Sequence, residues 1–246
     1  SLTSRLSWKS SSARELPVAV ALALAFAAMR AAGTLAPAHW RWLLPLGFVC
    51  MAASPWLLLS RAGRQQIGLV RPIRLAWFAP SIALGALAAL ACFALGAIAF
   101  GSGEDNRFAS ISRNYRDTIL HQGFTTLQLF LVATVPVLLF SPIGEEIFFR
   151  GLLQRALEER FSLRASTCTE ALLFGLVHLC HHGLLATAAG IRLLPLSGAL
   201  WVALSPARLF AWLRHRSGSL FPAMAAHASF NLAMNACIFA ALWPVD

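Results

Sequence analysis

Two adjacent carboxylates, Glu145 and Glu146, follow an apolar run from Leu127 to Phe140 that reads as a lipid-embedded helix. A charge in the middle of such a helix costs roughly 3 kcal/mol or more, so ionisable residues there are candidates for chemistry. Glu146 and Arg150 are four apart, share a helical face and can pair. Glu145 lies about 100° further round and need not share that partner. Two later apolar runs carry Phe174-x-x-x-His178 and His227-x-x-x-Asn231, each with its two residues on one face. Taken singly, these residues have plain explanations: carboxylates at the headgroup level, histidines in packing hydrogen bonds, an asparagine joining two helices. Taken together, two Glu, two His and one Asn on three helices can face one interior, where burying them unpaired would be prohibitive.

A carboxylate and an imidazole that converge on one water make a general base. A second histidine with an asparagine amide supplies donors for a developing oxyanion. The set therefore describes attack of water on a carbonyl, hence peptide hydrolysis within the membrane. No G-x-S-x-G motif occurs and no cysteine is spaced with a histidine, so a covalent route lacks its nucleophile. The same side chains, Glu145, His178 and His227, could instead hold a zinc ion with an open water position, although H-E-x-x-H is absent. The better reading needs no cofactor. His181 and His182 follow closely and read as the end of a loop at the outer interface.

The elements that must position these groups are hydrophobic spans. Of 246 residues, 58% are hydrophobic and only 12% charged, with a mean hydropathy of +0.68. Soluble domains carry about twice that charged fraction, so the chain is a polytopic all-α membrane bundle. Seven spans are expected: Leu16 to Thr34, Trp40 to Ser60, Leu75 to Phe100, Phe124 to Phe149, Ala165 to Leu179, a broken segment from Gly183 to Leu204, and Leu220 to Trp243. The Ala-rich first run also has the composition of a signal peptide; a span is preferred because Arg5, Lys9 and Arg14 then share a side with the arginines after the second span. The chain opens on Ser1 and not methionine, which reads as a trimmed or altered start. Gly85 and Gly96 allow close helix contact in the third span, and Pro136 and Pro142 invite a kink in the fourth. Residues 101–122 read as an exposed loop or surface helix, 155–164 as a polar connector and 208–218 as a basic turn.

With the N-terminus inside, fourteen basic residues fall on the cytoplasmic side and six, Arg30 among them, on the other. That is a positive-inside bias and accounts for the net charge of +10 without nucleic acid, for which no basic stripe with interleaved aromatics exists. The expected partners are the lipid bilayer and a membrane-embedded or lipid-anchored protein or peptide. Five dispersed cysteines, none in a C-x-x-C pair, read as small buried hydrophobes. No inverted repeat of the kind a transporter would show is present.

Glu145-Glu146-x-x-x-Arg150, Phe174-x-x-x-His178 and His227-x-x-x-Asn231, in that order on successive apolar segments and with Ser219-Leu220-Phe221-Pro222 just before the last, resemble the CAAX-processing and bacteriocin-processing (CPBP, or ABI) family of intramembrane endopeptidases. The resemblance covers residues 125–235; it implies a catalytic membrane core at 125–246 and an N-terminal part at 1–124 without a family signature. It implies Glu145 as general base, His178 as its helper in holding water, His227 and Asn231 as the groups that polarise the carbonyl, and Glu146 with Arg150 as orienting residues beside Phe174. It implies as substrate a CAAX-type tail, a C-terminal anchor or sorting signal, or a bacteriocin-like peptide. The arginine-rich seven-span layout looks prokaryotic, hence a cytoplasmic (inner) membrane. Some relatives serve as scaffold or immunity proteins, so a non-catalytic role is the alternative, with a proton-coupled transporter behind it.

Overall fold

The structure, a computed structural model, describes residue 7 and residues 15–72, 74–103 and 105–242. The helices are α1 (Glu15–Leu35), α2 (Leu43–Leu58), α3 (Arg61–Gln66), α4 (Phe78–Phe100), α5 (Arg107–Gln122), α6 (Thr126–Glu145), α7 (Gln154–Glu158), α8 (Leu163–Val177), α9 (Leu179–His182), α10 (Pro195–Leu204), α11 (Ala207–Ser217) and α12 (Leu220–Leu242). A π-helical segment, Glu146–Leu153, joins α6 to α7. One antiparallel hairpin, β1 (Leu184–Thr187) with β2 (Gly190–Leu193), pairs Leu184 with Leu193 and Thr187 with Gly190. Six helical stretches among the described residues are long and apolar enough to cross a membrane, so the all-α polytopic bundle stands.

The expected fourth span has the largest difference in extent. It does not end at Phe149; helical structure runs unbroken from Thr126 to Glu158, 33 residues. A capping box opens it, Thr125 accepting from the Gln128 amide and Gln128 from the Thr125 amide. The carboxylate pair therefore sits inside a long helix and not at its end. Residues 144–157 are buried on every side, packed by α1, α2, α8, α11 and α12. This explains how two neighbours about 100° apart on a helix can both be buried. The aromatic ladder Phe26, Phe148, Phe149, Phe174, with edge-on ring contacts of 4.8, 5.2 and 5.3 Å, fills the space around them.

The region after α8 also differs. The expected fifth span is the 15-residue α8. Within the expected broken sixth span, 184–193 is the mostly exposed hairpin, because Gly190 at φ +119° supplies its turn. The expected basic turn at 208–218 is the helix α11, whose last turn holds Arg214, His215 and Arg216 and which ends at Gly218 in the left-handed region. Residues 195–217 together make a stretch long enough to cross.

Close helix approach occurs where glycine permits it. A Cβ on Gly85 would collide with the Ala226 carbonyl on α12, and one on Gly144 would meet the Phe48 backbone on α2. Gly96 faces the ring of Phe108, so α5 lies against the bundle with Phe108 and Ala109 buried. The segment expected as a loop or surface helix is thus a helix with a packed face. The start of α12 is pinned by Ser219, whose hydroxyl donates to the Val70 carbonyl at 2.6 Å, and by the Leu220 amide, which donates to Gly68 at 2.9 Å.

Candidate active site

The π-helical segment begins at Glu146, directly after Glu145. π-Bulges inside α-helices concentrate at functional sites, where the wider turn re-aims side chains. Glu145, Glu146 and Arg150 are fully buried, and all three meet partners from other helices. Arg150 is the hub: it lies 3.3 Å from Glu146, 3.5 Å from Glu170 on α8, and over the rings of Phe174 and Phe210 at 4.0 and 5.4 Å. Cation–π contact of this kind strengthens in a dry interior.

The two motif histidines flank Glu145. Nε2 of His178 is 3.7 Å from Oε1, and Nε2 of His227 is 3.6 Å from Oε2. Each histidine has its other nitrogen fixed. Nδ1 of His178 donates to the Phe174 carbonyl at 2.7 Å, one turn back at the end of α8, which leaves Nε2 as the acceptor of a neutral ring. Nδ1 of His227 donates to Oε1 of Glu146 at 2.8 Å. Phe174 packs on His178 and Phe210 stacks on His227, with centroids 4.3 and 4.8 Å apart. Asn231, one turn beyond His227, donates one amide hydrogen to the Val137 carbonyl at 2.9 Å and keeps a second. The five residues singled out in the sequence, with Arg150 and Phe174, are therefore brought together.

A cavity of about 450 Å³ opens onto this cluster, with His178, His227 and Asn231 in its wall and Phe230, Met234 and Ile238 along its apolar side. Oε2 of Glu145 makes no hydrogen bond among the described residues. A buried acceptor in that state, with an imidazole beyond direct reach, suits a bridging water.

Three placements depart from the sequence reading. Arg30, counted there as an external interface charge, is only 7% exposed and forms an ion pair with Glu145. His181 is not at an outer loop end: its Nε2 is 3.4 Å from Arg30, and its carbonyl accepts from Arg107 at 2.7 Å. His182 stacks on Trp201 at 3.9 Å. Folding of 179–182 into the short helix α9, directly after α8, turns both rings inward. Glu170 went unnoticed, although Glu170, Phe174 and His178 recur every four residues and so share a face. Arg30 had one signal, as the lone charge late in an otherwise apolar run.

Glu145, His178 and His227 as placed do not fit a metal ion. The Arg30 guanidinium occupies the space between Glu145 and Nε2 of His178, where an ion would sit. Among the described residues no three His, Cys, Asp or Glu side chains are grouped to hold one.

Fold and site together define a polytopic helical membrane protein with a buried acid–histidine centre. Residues 127–233 match the family described as type II CAAX prenyl endopeptidase Rce1-like, in agreement with the CPBP family that the motifs of this segment resemble. The match supports an intramembrane endopeptidase activity in the broad sense and a membrane-associated protein as substrate. No curated protein and no solved structure matches the chain significantly.

Proposed function

We propose that the protein hydrolyses a peptide bond of a membrane-associated polypeptide by water attack, with Glu145 as general base and no metal. The carrying observation is the bracket around Glu145, with His178 at 3.7 Å on one oxygen and His227 at 3.6 Å on the other, beside a cavity large enough for an extended peptide segment. Water bound at Oε2 gives its proton to Glu145 as its oxygen adds to the scissile carbonyl. His178 lies on the Oε1 side, where its Nε2 accepts from Arg30, so it helps position Glu145 and does not touch that water. The new oxyanion faces Nε2 of His227 and the second amide hydrogen of Asn231. With Nδ1 committed to Glu146, donation from Nε2 requires a second proton on His227, which the paired Glu146 carboxylate favours and burial opposes. Glu145 then returns its proton to the leaving amine, which closes the proton balance.

The substrate proposed is a C-terminal tail or anchor of CAAX type, a sorting signal or a bacteriocin-like peptide, processed in a prokaryotic cytoplasmic membrane with the N-terminus inside. Of the basic residues behind that orientation, Arg30, Arg150, Arg155 and Arg214 are buried. Removing them leaves eleven against five, so the bias survives. Arg5, Lys9 and Arg14 in that count lie outside the described residues.

The test compares membrane proteomes of cells carrying the wild-type chain and Glu145→Gln. The substitution keeps shape and removes the base, so cleavage of the identified partner falls by a factor on the order of 10² or more while the protein stays folded. Near-normal turnover by folded Glu145→Gln protein would end this reading and favour a scaffold role.

A further inference from the structure

The base is served by a residue outside the family segment. Arg30 belongs to α1, remote from 127–233, yet its guanidinium reaches the centre of the site. One nitrogen contacts Oε1 of Glu145. The other, Nη1, donates to Nε2 of His178 at 3.0 Å and approaches His181 at 3.4 Å. The ring of Phe48 backs the group at 5.2 Å, on the stretch of α2 that Gly144 admits.

Charge counting shows what this contact does. The cluster holds three buried carboxylates, Glu145, Glu146 and Glu170, and Arg150 already faces the last two. Arg150, with Arg214 also acting on Glu170, serves Glu146 and Glu170, which leaves Glu145 without a cation of its own in a dry interior. The Arg30 guanidinium directed at Glu145 relieves this at the carboxylate that must accept a proton. The same fork ties Glu145 to His178, whose tautomer is already set by the Phe174 carbonyl.

We infer that Arg30 is a positioning residue of the hydrolytic site, holding Glu145 as a carboxylate and clamping it to His178, so that the first helix completes a centre whose other parts lie in the family segment. The inference rests on Glu145 as the base. Arg30 does not touch the scissile bond; during turnover its fork stays on Oε1 and leaves Oε2 to the water.

The test uses the full chain in lipid nanodiscs near neutral pH and reads the carboxyl bands by infrared spectroscopy, which requires no substrate. Arg30→Met is expected to gain a protonated-carboxyl band that disappears in the Arg30→Met/Glu145→Gln double variant. Arg30→Lys, which keeps the charge and loses the fork, gains none. On the partner cleaved by the wild type, Arg30→Met lowers kcat by about 10²-fold, the cost of a group misplaced by about 1 Å, and Arg30→Lys restores part of it, with KM changed little in both. Absence of a new band, a band untouched by Glu145→Gln, or faster cleavage by Arg30→Met would overturn the inference; the last would mean that Arg30 obstructs the water. Should Arg30→Met fail to fold, Arg30→Lys decides: wild-type kcat in that variant overturns the clamp. An active Glu145→Gln protein would defeat the hydrolytic reading while leaving the infrared result intact, so the two failures are separable.

Discussion

Arg30 and Glu145, on the first and sixth helices, form a buried ion pair, while Glu146, the next residue in the chain, pairs with Arg150 one turn ahead. Two adjacent carboxylates thus have separate cations, one brought by tertiary packing and one by helical spacing. The division separates two settings: Glu145 lies between the two histidines, and Glu146 holds His227.

Glu146→Gln should cost stability as well as activity. It removes the charge on which Nδ1 of His227 and Nη1 of Arg150 depend, in a place with no solvent to replace it. Breaking a buried pair by removing one partner costs about 3–5 kcal/mol. Glu170 still faces Arg150, so the loss should lie near the lower end, on the order of 3 kcal/mol. Thermal unfolding in nanodiscs, read beside Glu145→Gln, checks this; equal melting temperatures for Glu146→Gln and wild type would remove its structural role.

Gly144→Ala places a methyl group against the Phe48 backbone. Overpacking of this kind costs roughly 1–3 kcal/mol. Here it also pushes α2 away from the Glu145 turn, so cleavage should drop together with the melting temperature. Full activity in a stably folded Gly144→Ala protein would show that α2 does not support the site.

Zinc should be absent in stoichiometric amount from the purified active protein, and chelators should leave cleavage unchanged, because the Arg30 fork fills the space beside Glu145 and His178. Elemental analysis is the measurement. One zinc per chain, lost together with activity in His178→Ala, would replace the metal-free mechanism with a zinc-bound water.

A reporter fused after Arg64 should be cytoplasmic and one near Arg113 external, since α4 lies between them and meets the length and hydropathy of a span. The same side for both would mean that α4 does not cross, and would undo the orientation argued from the basic residues.

Much of the site was legible in the sequence because helical spacing alone puts Glu146 with Arg150, Phe174 with His178 and His227 with Asn231, and because polar groups in apolar runs must find one another. Hydropathy fixed the all-α membrane class in the same way, and Gly85 marked a close approach that α12 fills. Spacing could not reveal partners remote in the chain. Arg30 looks like an interface charge until the whole of 144–157 is known to be wrapped by helices, which makes the position of Glu145 internal and gives a remote guanidinium something to pair with. The π-helical phase change at Glu146, the inward turn of His181 and His182 through α9, and the sharing of Arg150 between Glu146 and Glu170 likewise depend on packing. Local sequence decides which residues share a face; only the tertiary structure decides which faces meet, because burial rewards many pairings and close packing admits only one.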